Sequence, residues 1–212
     1  PILSTSDSSI MTNQLKNMAQ GSKSGINRYN DGMGMRERWV DNYFNTYETF
    51  FDNNDHGLNP KYQIPPFINW LREAAILCQD GKSITESGIY MAKAYKSKPQ
   101  MVWELIFIGL CDNSEICNWY HSSIDYSHSY SREEADIILQ DSYPDLQDRT
   151  LRNPFNSLLN TFKESPLGSS IPVGVLDKDN KKVMITRRPH NELSMVAAAY
   201  SLYRYAEIGR AH

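Results

Sequence analysis

The side chains that could do chemistry in this sequence are concentrated in one basic stretch, residues 146–190. It holds eight Lys and Arg against four Asp and Glu, a local charge of +4; the whole chain carries −3, so the remainder carries −7. Positive side chains neutralise phosphates, and Arg and Asn can pair with guanine and adenine edges. The stretch predicts contact with duplex DNA through these residues: Arg149, Arg152, Asn153, Asn156, Asn160, Lys163, Lys178, Lys181, Lys182, Arg187 and Arg188.

The predicted DNA-binding residues would have two different roles. Lys and Arg on a predicted hairpin would hold phosphates and position the protein, whereas the polar face of a predicted helix, Arg149 to Asn160, would read base edges. The alternative is an ordinary solvated helix face and a charged hairpin on a protein–protein interaction domain with no nucleic-acid contact, because charge runs commonly face solvent.

Other chemistries have weaker support. Cys117 and His121 lie four residues apart and could share a metal with His128 or Cys111, but no Cys-x-x-Cys pair accompanies them, which favours buried thiols and a surface histidine. Residues 52–57 resemble the start of a calcium loop, yet His56 and Gln63 stand where oxygen ligands belong. We therefore predict no metal.

Motifs of catalysis and cofactor binding are missing from the sequence. It has no phosphate-binding loop, no dinucleotide fingerprint and no nucleophile elbow. We therefore predict a non-catalytic chain that uses no cofactor.

Composition narrows the class of protein. The 212 residues include 40% hydrophobic and 22% charged side chains, which is typical of a globular protein. Three cysteines are too few for a disulfide scaffold and fit a reducing cytosol, and no apolar run reaches the ~20 residues of a membrane span. We expect a cytoplasmic protein with no membrane contact; because the first residue is Pro1, we also expect a processed chain or an excised fragment.

The elements that must position the basic residues follow from apolar spacing. Residues 1–34 are rich in Ser, Asn and Gly and predict a flexible linker with one short helix at 10–18. Residues 35–97 predict a small unit of three helices at 35–51, 66–79 and 85–95.

Residues 98–212 predict a winged-helix-like domain with a C-terminal helix. A buried helix at 101–110 restarts near 112 and runs to 123, and a helix with a Ser131–Glu134 capping box covers 131–142. A polar-faced helix spans 148–163, either starting at an Asn153 cap or continuing through Pro154. Strands at 171–176 and 181–186 form a hairpin around a turn at 177–180. The fold class is mainly α with a small β-hairpin, in tandem helical units.

Several phrases also carry a family resemblance; they are Pro66-Phe67-Ile68-Asn69-Trp70-Leu71-Arg72-Glu73-Ala74, Ile84-Thr85-Glu86-Ser87-Gly88, Trp103-Glu104-Leu105-Ile106, Asn113-Ser114, Asn118-Trp119-Tyr120, Arg149-Thr150-Leu151-Arg152-Asn153, Leu158-Leu159-Asn160-Thr161-Phe162-Lys163 and Ser165-Pro166-Leu167-Gly168. Together they resemble the helical C-terminal region, a domain of unknown function, of bacterial phosphoadenosine phosphosulfate reductase-like proteins. The resemblance implies an accessory role beside a nucleotide-binding sulfur-transfer domain or subunit that holds the chemistry. It carries over no catalytic residue.

Overall fold

The computed structural model describes residues 25–26, 32–52, 56–179 and 182–210, the last four of them through the backbone only. It is mainly helical with a small antiparallel sheet, as the sequence predicts. The predicted helix at 10–18 lies outside the described residues.

Aromatic residues at three- and four-residue spacing form the first helix, α1 (Glu37–Thr46), and bury Trp39, Tyr43 and Phe44. The helix ends five residues before the predicted end, in a turn. Phe50, in that turn, still packs edge-on against Tyr43, with 5.3 Å between ring centroids. Phe50 is therefore part of the core, although it lies in a turn and not in the helix predicted for residues 35–51.

The next two helices are α2 (Ile64–Glu73) and α3 (Glu86–Tyr95). Helix α2 stops six residues before the predicted end, because Ala75 takes a positive φ of 58° and the chain reverses into an antiparallel bridge between Leu77 and Ile84. Thr85 caps α3 at the start of the helix predicted for residues 85–95, and its hydroxyl accepts a hydrogen bond from the Gly88 N–H at 2.9 Å.

Helices α4 (Pro99–Asn113) and α5 (Glu115–Ser123) follow, separated at Ser114. Helix α4 is buried on most of its circumference and contacts α2, α3 and α5, as its apolar run predicts. Gly109 allows the close approach to α2, since a Cβ there would lie 2.7 Å from the carbonyl oxygen of Ala74. The buried Glu104 in the same helix was not anticipated.

A short strand, β1 (Ser129–Ser131), leads directly into α6 (Arg132–Ser142). The predicted capping box is confirmed: the Ser131 hydroxyl accepts from the Glu134 N–H, and the Glu134 carboxylate accepts from the Ser131 N–H. Helix α7 (Asp148–Glu164) continues through Pro154, so the longer of the two alternatives is observed.

Two 3₁₀ turns, Pro166–Gly168 and Pro172–Gly174, precede the strands β2 (Val175–Asp179) and β3 (Lys182–Thr186). The predicted first strand, 171–176, therefore begins four residues before the observed β2. The register pairs Val175 with Thr186 and Asp179 with Lys182, which leaves residues 180–181 as the connection. Strand β1 was not predicted; it pairs with β3 and completes a sheet of order β1-β3-β2.

The last described helix, α8 (Met195–Arg210), packs on α4. Buried side chains from both predicted units form one cluster, which includes Phe67, Val102 and Phe155. The boundary between the units at residue 97 stays a prediction. None of the helices in the described part of the chain combines the length and apolar character needed to span a bilayer.

Candidate nucleic-acid interface

Helix α7 has the amphipathic arrangement that its sequence predicts. Its buried face packs on α5, where Phe155 meets Trp119 edge-on with 5.9 Å between ring centroids, and Phe162 meets Tyr120 at 4.9 Å. On the outer side Arg149, Arg152 and Lys163 are exposed. A ligand in solvent can therefore reach these three cations.

A polar cluster joins α7 to the start of α6 around Arg132. One guanidinium nitrogen of Arg132 donates to Asn156 Oδ1 at 2.6 Å, and its Nε lies 3.6 Å from the Asp136 carboxylate. Burial raises the pKa of Asp136, and the charges of Arg132 and Arg152 oppose that shift. Arg132 therefore belongs to the same surface as Arg152.

Arg132 is a residue that sequence reasoning missed. It lies outside the basic stretch by sequence, and only the packing of α6 on α7 brings it to Asn156. The signal that could have found it is its position immediately after the Ser131 cap, at the first turn of the helix that precedes α7.

The C-terminal half of the polar face of α7 is covered by the chain that precedes α1. Asn160 Nδ2 donates to the Gly32 carbonyl at 2.8 Å, and the Met35 N–H donates to Thr161 Oγ1 at 2.9 Å. Gly34 lies so close that an added Cβ would be 2.2 Å from the Thr161 nitrogen. Residues 32–34 thus pack on the protein, although they fall in the predicted linker.

This covering corrects the predicted reading face. Asn160 is half-buried and its amide donates a hydrogen bond to Gly32, while the half-buried Asn156 accepts a hydrogen bond from Arg132. Asn153 is also half-buried and has contacts of its own. The side chains of Asn156 and Asn160 thus make contacts within the protein, so base reading by the whole Arg149–Asn160 face is not supported by their placement.

The β2–β3 hairpin presents Lys178, Lys182 and Arg188 to solvent. A backbone hydrogen bond and the nearby Lys182 charge lower the pKa of Glu133 at the start of α6. Arg188 lies 3.6 Å from the Asp177 carboxylate, an exposed pair of small energetic weight. Lys181 lies outside the described residues.

Arg187 is the clearest correction among the predicted DNA-binding residues. It is 5% exposed, and its guanidinium donates to the carbonyls of His121 and Ile124 and, at 2.6 Å, to the Tyr126 hydroxyl. The guanidinium also stacks 3.8 Å from the centre of the Tyr126 ring. Arg187 therefore fastens the loop after α5 to the end of β3 and is not available to a phosphate.

Burial governs the thiols and one of the histidines that were weighed as metal ligands. Burial raises the pKa of Cys111 to about 12 and that of Cys117 well above its ordinary value. Burial, and then the charge of Arg187, lower the pKa of His121. Across the residues that the structure describes, no group of three or more His, Cys, Asp or Glu side chains is arranged to hold a metal ion. Part of the calcium-like segment 52–57 lies outside them.

Searches with this chain against protein-family models, curated proteins and solved structures returned no significant match.

Proposed function

We propose that this chain is a non-catalytic DNA-binding module of winged-helix type, which binds duplex DNA through the N-terminal half of α7 and the β2–β3 hairpin. The resemblance to phosphoadenosine phosphosulfate reductase-like proteins adds a second part to the proposal: the module serves a nucleotide-binding sulfur-transfer domain or subunit as an accessory.

The topology supports this proposal. The elements follow one another as β1, α6, α7, β2 and β3, and the sheet order is β1-β3-β2, an order that is compatible with the winged-helix type that we propose. Helices α6 and α7 are joined by a short turn at residues 143–147. In helix-turn-helix proteins the second helix enters the major groove and its N-terminal residues contact base edges.

The main support for the proposal is the exposure of the N-terminal half of α7. Residues 32–35 cover Asn160 and Thr161 in the C-terminal half, where Lys163 is still exposed, whereas Arg149 and Arg152, in the first two turns, have no such covering segment among the contacts described above and are exposed. The open half is thus the half that a recognition helix uses. Arg132 lies beside it and adds a third positive charge to the same surface.

The hairpin extends this surface in the manner of a wing. Strand β3 pairs Met184 with Ser131, the residue before Arg132, and the charge of Lys182 helps to lower the pKa of Glu133, which lies between Arg132 and Asp136. Because acidic side chains are interspersed with the basic ones, we expect few phosphate contacts and therefore a modest dependence of affinity on salt.

The experiment is a titration of fluorescently labelled random duplex DNA with the protein between 50 and 200 mM salt, followed by anisotropy. Each lost phosphate contact lowers the salt slope by about 0.9, so the double variant Arg149→Ala with Arg152→Ala should lower it by about 2. Lys96→Ala with Lys98→Ala removes the same charge from exposed sites away from α7 and should leave the slope unchanged. Equal slopes in both double variants would remove α7 from the interface, and no binding at low salt would refute DNA contact.

The second candidate function is a protein–protein interaction domain without nucleic-acid contact. The exposed apolar face of α8, with Met195, Leu202 and Tyr205, favours it, because large exposed apolar patches mark interaction surfaces. A purified nucleotide-binding sulfur-transfer partner that is bound equally well by the Arg149/Arg152 double variant, together with absence of duplex binding, would support this second function.

A further inference from the structure

The guanidinium of Arg132 is held in one orientation by contacts from two helices. Its Nη2 donates to Asn156 Oδ1 at 2.6 Å, its Nε lies 3.6 Å from the Asp136 carboxylate, and its Cζ lies 5.7 Å from the centre of the Phe155 ring. Asp136 belongs to α6, whereas Asn156 and Phe155 belong to α7. The packing of the two helices therefore orders a side chain that would otherwise lose rotamer freedom when it binds a ligand.

Asn156 is held in turn by the segment that precedes α1. Gly32 takes a positive φ of 63°, and a Cβ added there would lie 3.4 Å from Asn156 Cβ and 3.9 Å from its Nδ2. The amide nitrogen of Asn156 thus lies on the side of Gly32, while the amide oxygen accepts from Arg132. A chain of contacts from Gly32 through Asn156 therefore sets the direction of the guanidinium.

The ordered guanidinium remains open to solvent. The side chain of Arg132 is 38% exposed. In the described part of the chain, its polar contacts with Asn156 and Asp136 involve Nη2 and Nε, and neither of them uses Nη1. The N–H groups of a guanidinium form a planar fork that matches two oxygens of a phosphate. Arg132 thus presents an oriented donor edge to an oxyanion from solvent.

A second guanidinium lies near the same carboxylate. Burial raises the pKa of Asp136, and the charges of Arg132 and Arg152 oppose that shift, so both guanidinium groups are near this carboxylate. Arg152 is exposed and precedes Asn156 by about one turn of α7. Arg132 and Arg152 are therefore neighbours across the contact between α6 and α7, and an oxyanion bound by Arg132 also lies within the field of Arg152.

We propose that Arg132 binds two oxygens of one phosphate of the DNA backbone, and that Asn156 is the positioning residue that directs the guanidinium towards it. This inference rests on the proposed function and extends it, because it assigns one phosphate contact to α6 and gives a role in binding to a side chain that does not touch the DNA. Inorganic phosphate offers the same oxygens and serves as a probe of the site apart from DNA.

The test is a double-mutant cycle on the dissociation constant for random duplex DNA. Arg132→Ala should lower the salt slope by about 0.9, the value of one phosphate contact. Arg132→Lys keeps the charge but loses the fork, so it should keep the slope and weaken binding about fivefold. Asn156→Ala should also weaken binding about fivefold, and it should have no effect in the Arg132→Ala background, because Asn156 acts only through Arg132.

Asn42→Ala is the matched control, because Asn42 also makes a hydrogen bond within the protein, to the His56 carbonyl, but lies on α1. It should leave the dissociation constant unchanged. Circular dichroism melts establish that each variant is folded. An Asn156→Ala effect that is the same in both backgrounds, or absent from both, would overturn the proposal and leave DNA binding standing. Wild-type affinity of Arg132→Lys would also overturn it, and this result does not depend on the folding of Asn156→Ala.

A phosphate titration separates this proposal from the proposed function. In protein labelled with nitrogen-15 in its arginines, inorganic phosphate should shift the Arg132 Nε resonance, which is identified by its loss in Arg132→Lys. The shift should need more phosphate in Asn156→Ala. This result without duplex binding would refute DNA contact and support the oriented Arg132 as a site for free phosphate. Absence of both the shift and duplex binding would overturn both proposals.

Discussion

Glu104 and His190 are joined inside the protein: the Glu104 Oε1 atom lies 2.8 Å from His190 Nε2. The second carboxylate oxygen accepts from the Ser194 N–H. Glu104 is 3% exposed and belongs to α4, whose other buried residues are mainly apolar. Its carboxylate therefore depends on these two partners for hydrogen bonds. One side chain thus holds both the segment after β3 and the start of α8.

Removing this carboxylate should destabilise the protein. Glu104→Ala leaves the His190 ring and the Ser194 N–H without their partner, and breaking a buried pair of this kind costs about 3 kcal/mol. The free energy of unfolding from urea titrations measures the loss. Glu192→Ala is the control, because Glu192 is exposed and should change stability by less than about 0.5 kcal/mol. Similar values for both variants would show that the Glu104–His190 contact contributes little.

Adding a single methyl group to the segment before α1, at Gly34, should reduce the stability of the protein. In Gly34→Ala the new Cβ would lie 2.2 Å from the Thr161 nitrogen and 2.5 Å from the Asn160 carbonyl carbon, so the segment must move away from α7. We expect a loss of about 1–3 kcal/mol, the cost of overpacking, in thermal or urea unfolding. Gly25→Ala, which meets nothing within 4 Å, should have little effect. Unchanged stability of Gly34→Ala would show that residues 32–35 do not stay on α7.

Substitution of Arg187 should destabilise the protein, whereas substitution of the neighbouring Arg188 should leave its stability almost unchanged. Arg187→Lys keeps the charge but loses the planar fork that serves His121 and Ile124, so we expect about 2 kcal/mol of destabilisation. Arg188→Ala removes an exposed charge with a weak partner and should leave stability within about 0.5 kcal/mol. Unfolding experiments compare the two. A stable Arg187→Lys variant would return Arg187 to the set of candidate DNA contacts.

The three cysteines should differ sharply in reactivity. Cys78 is exposed, whereas burial raises the pKa of Cys111 to about 12 and also raises that of Cys117. A raised thiol pKa favours the unreactive protonated form, so Cys111 and Cys117 should react much more slowly than Cys78 at pH 8. Ellman's reagent should therefore label one thiol quickly in the native protein and three in denaturant. Fast labelling of a second thiol in the native protein would contradict this.

The helices could be predicted well from the sequence, since each signal is local. Leu151, Phe155 and Phe162 recur at helical spacing and form the buried face of α7, and Ser131 with Glu134 marks the start of α6. Strand β1 was missed because three residues are too few to show an alternating pattern. It exists because β3 offers it a hydrogen-bonding edge.

For the candidate site, the sequence by itself determined that basic residues are concentrated after residue 146 and that α7 has a polar side. Only the tertiary structure decided which of them remain exposed. Asn160 is engaged by Gly32, 128 residues away, and Arg187 by His121, 66 residues away. A helix face or a charged residue reads the same in sequence whether or not a distant segment folds onto it, because burial depends on packing between elements rather than on periodicity within one.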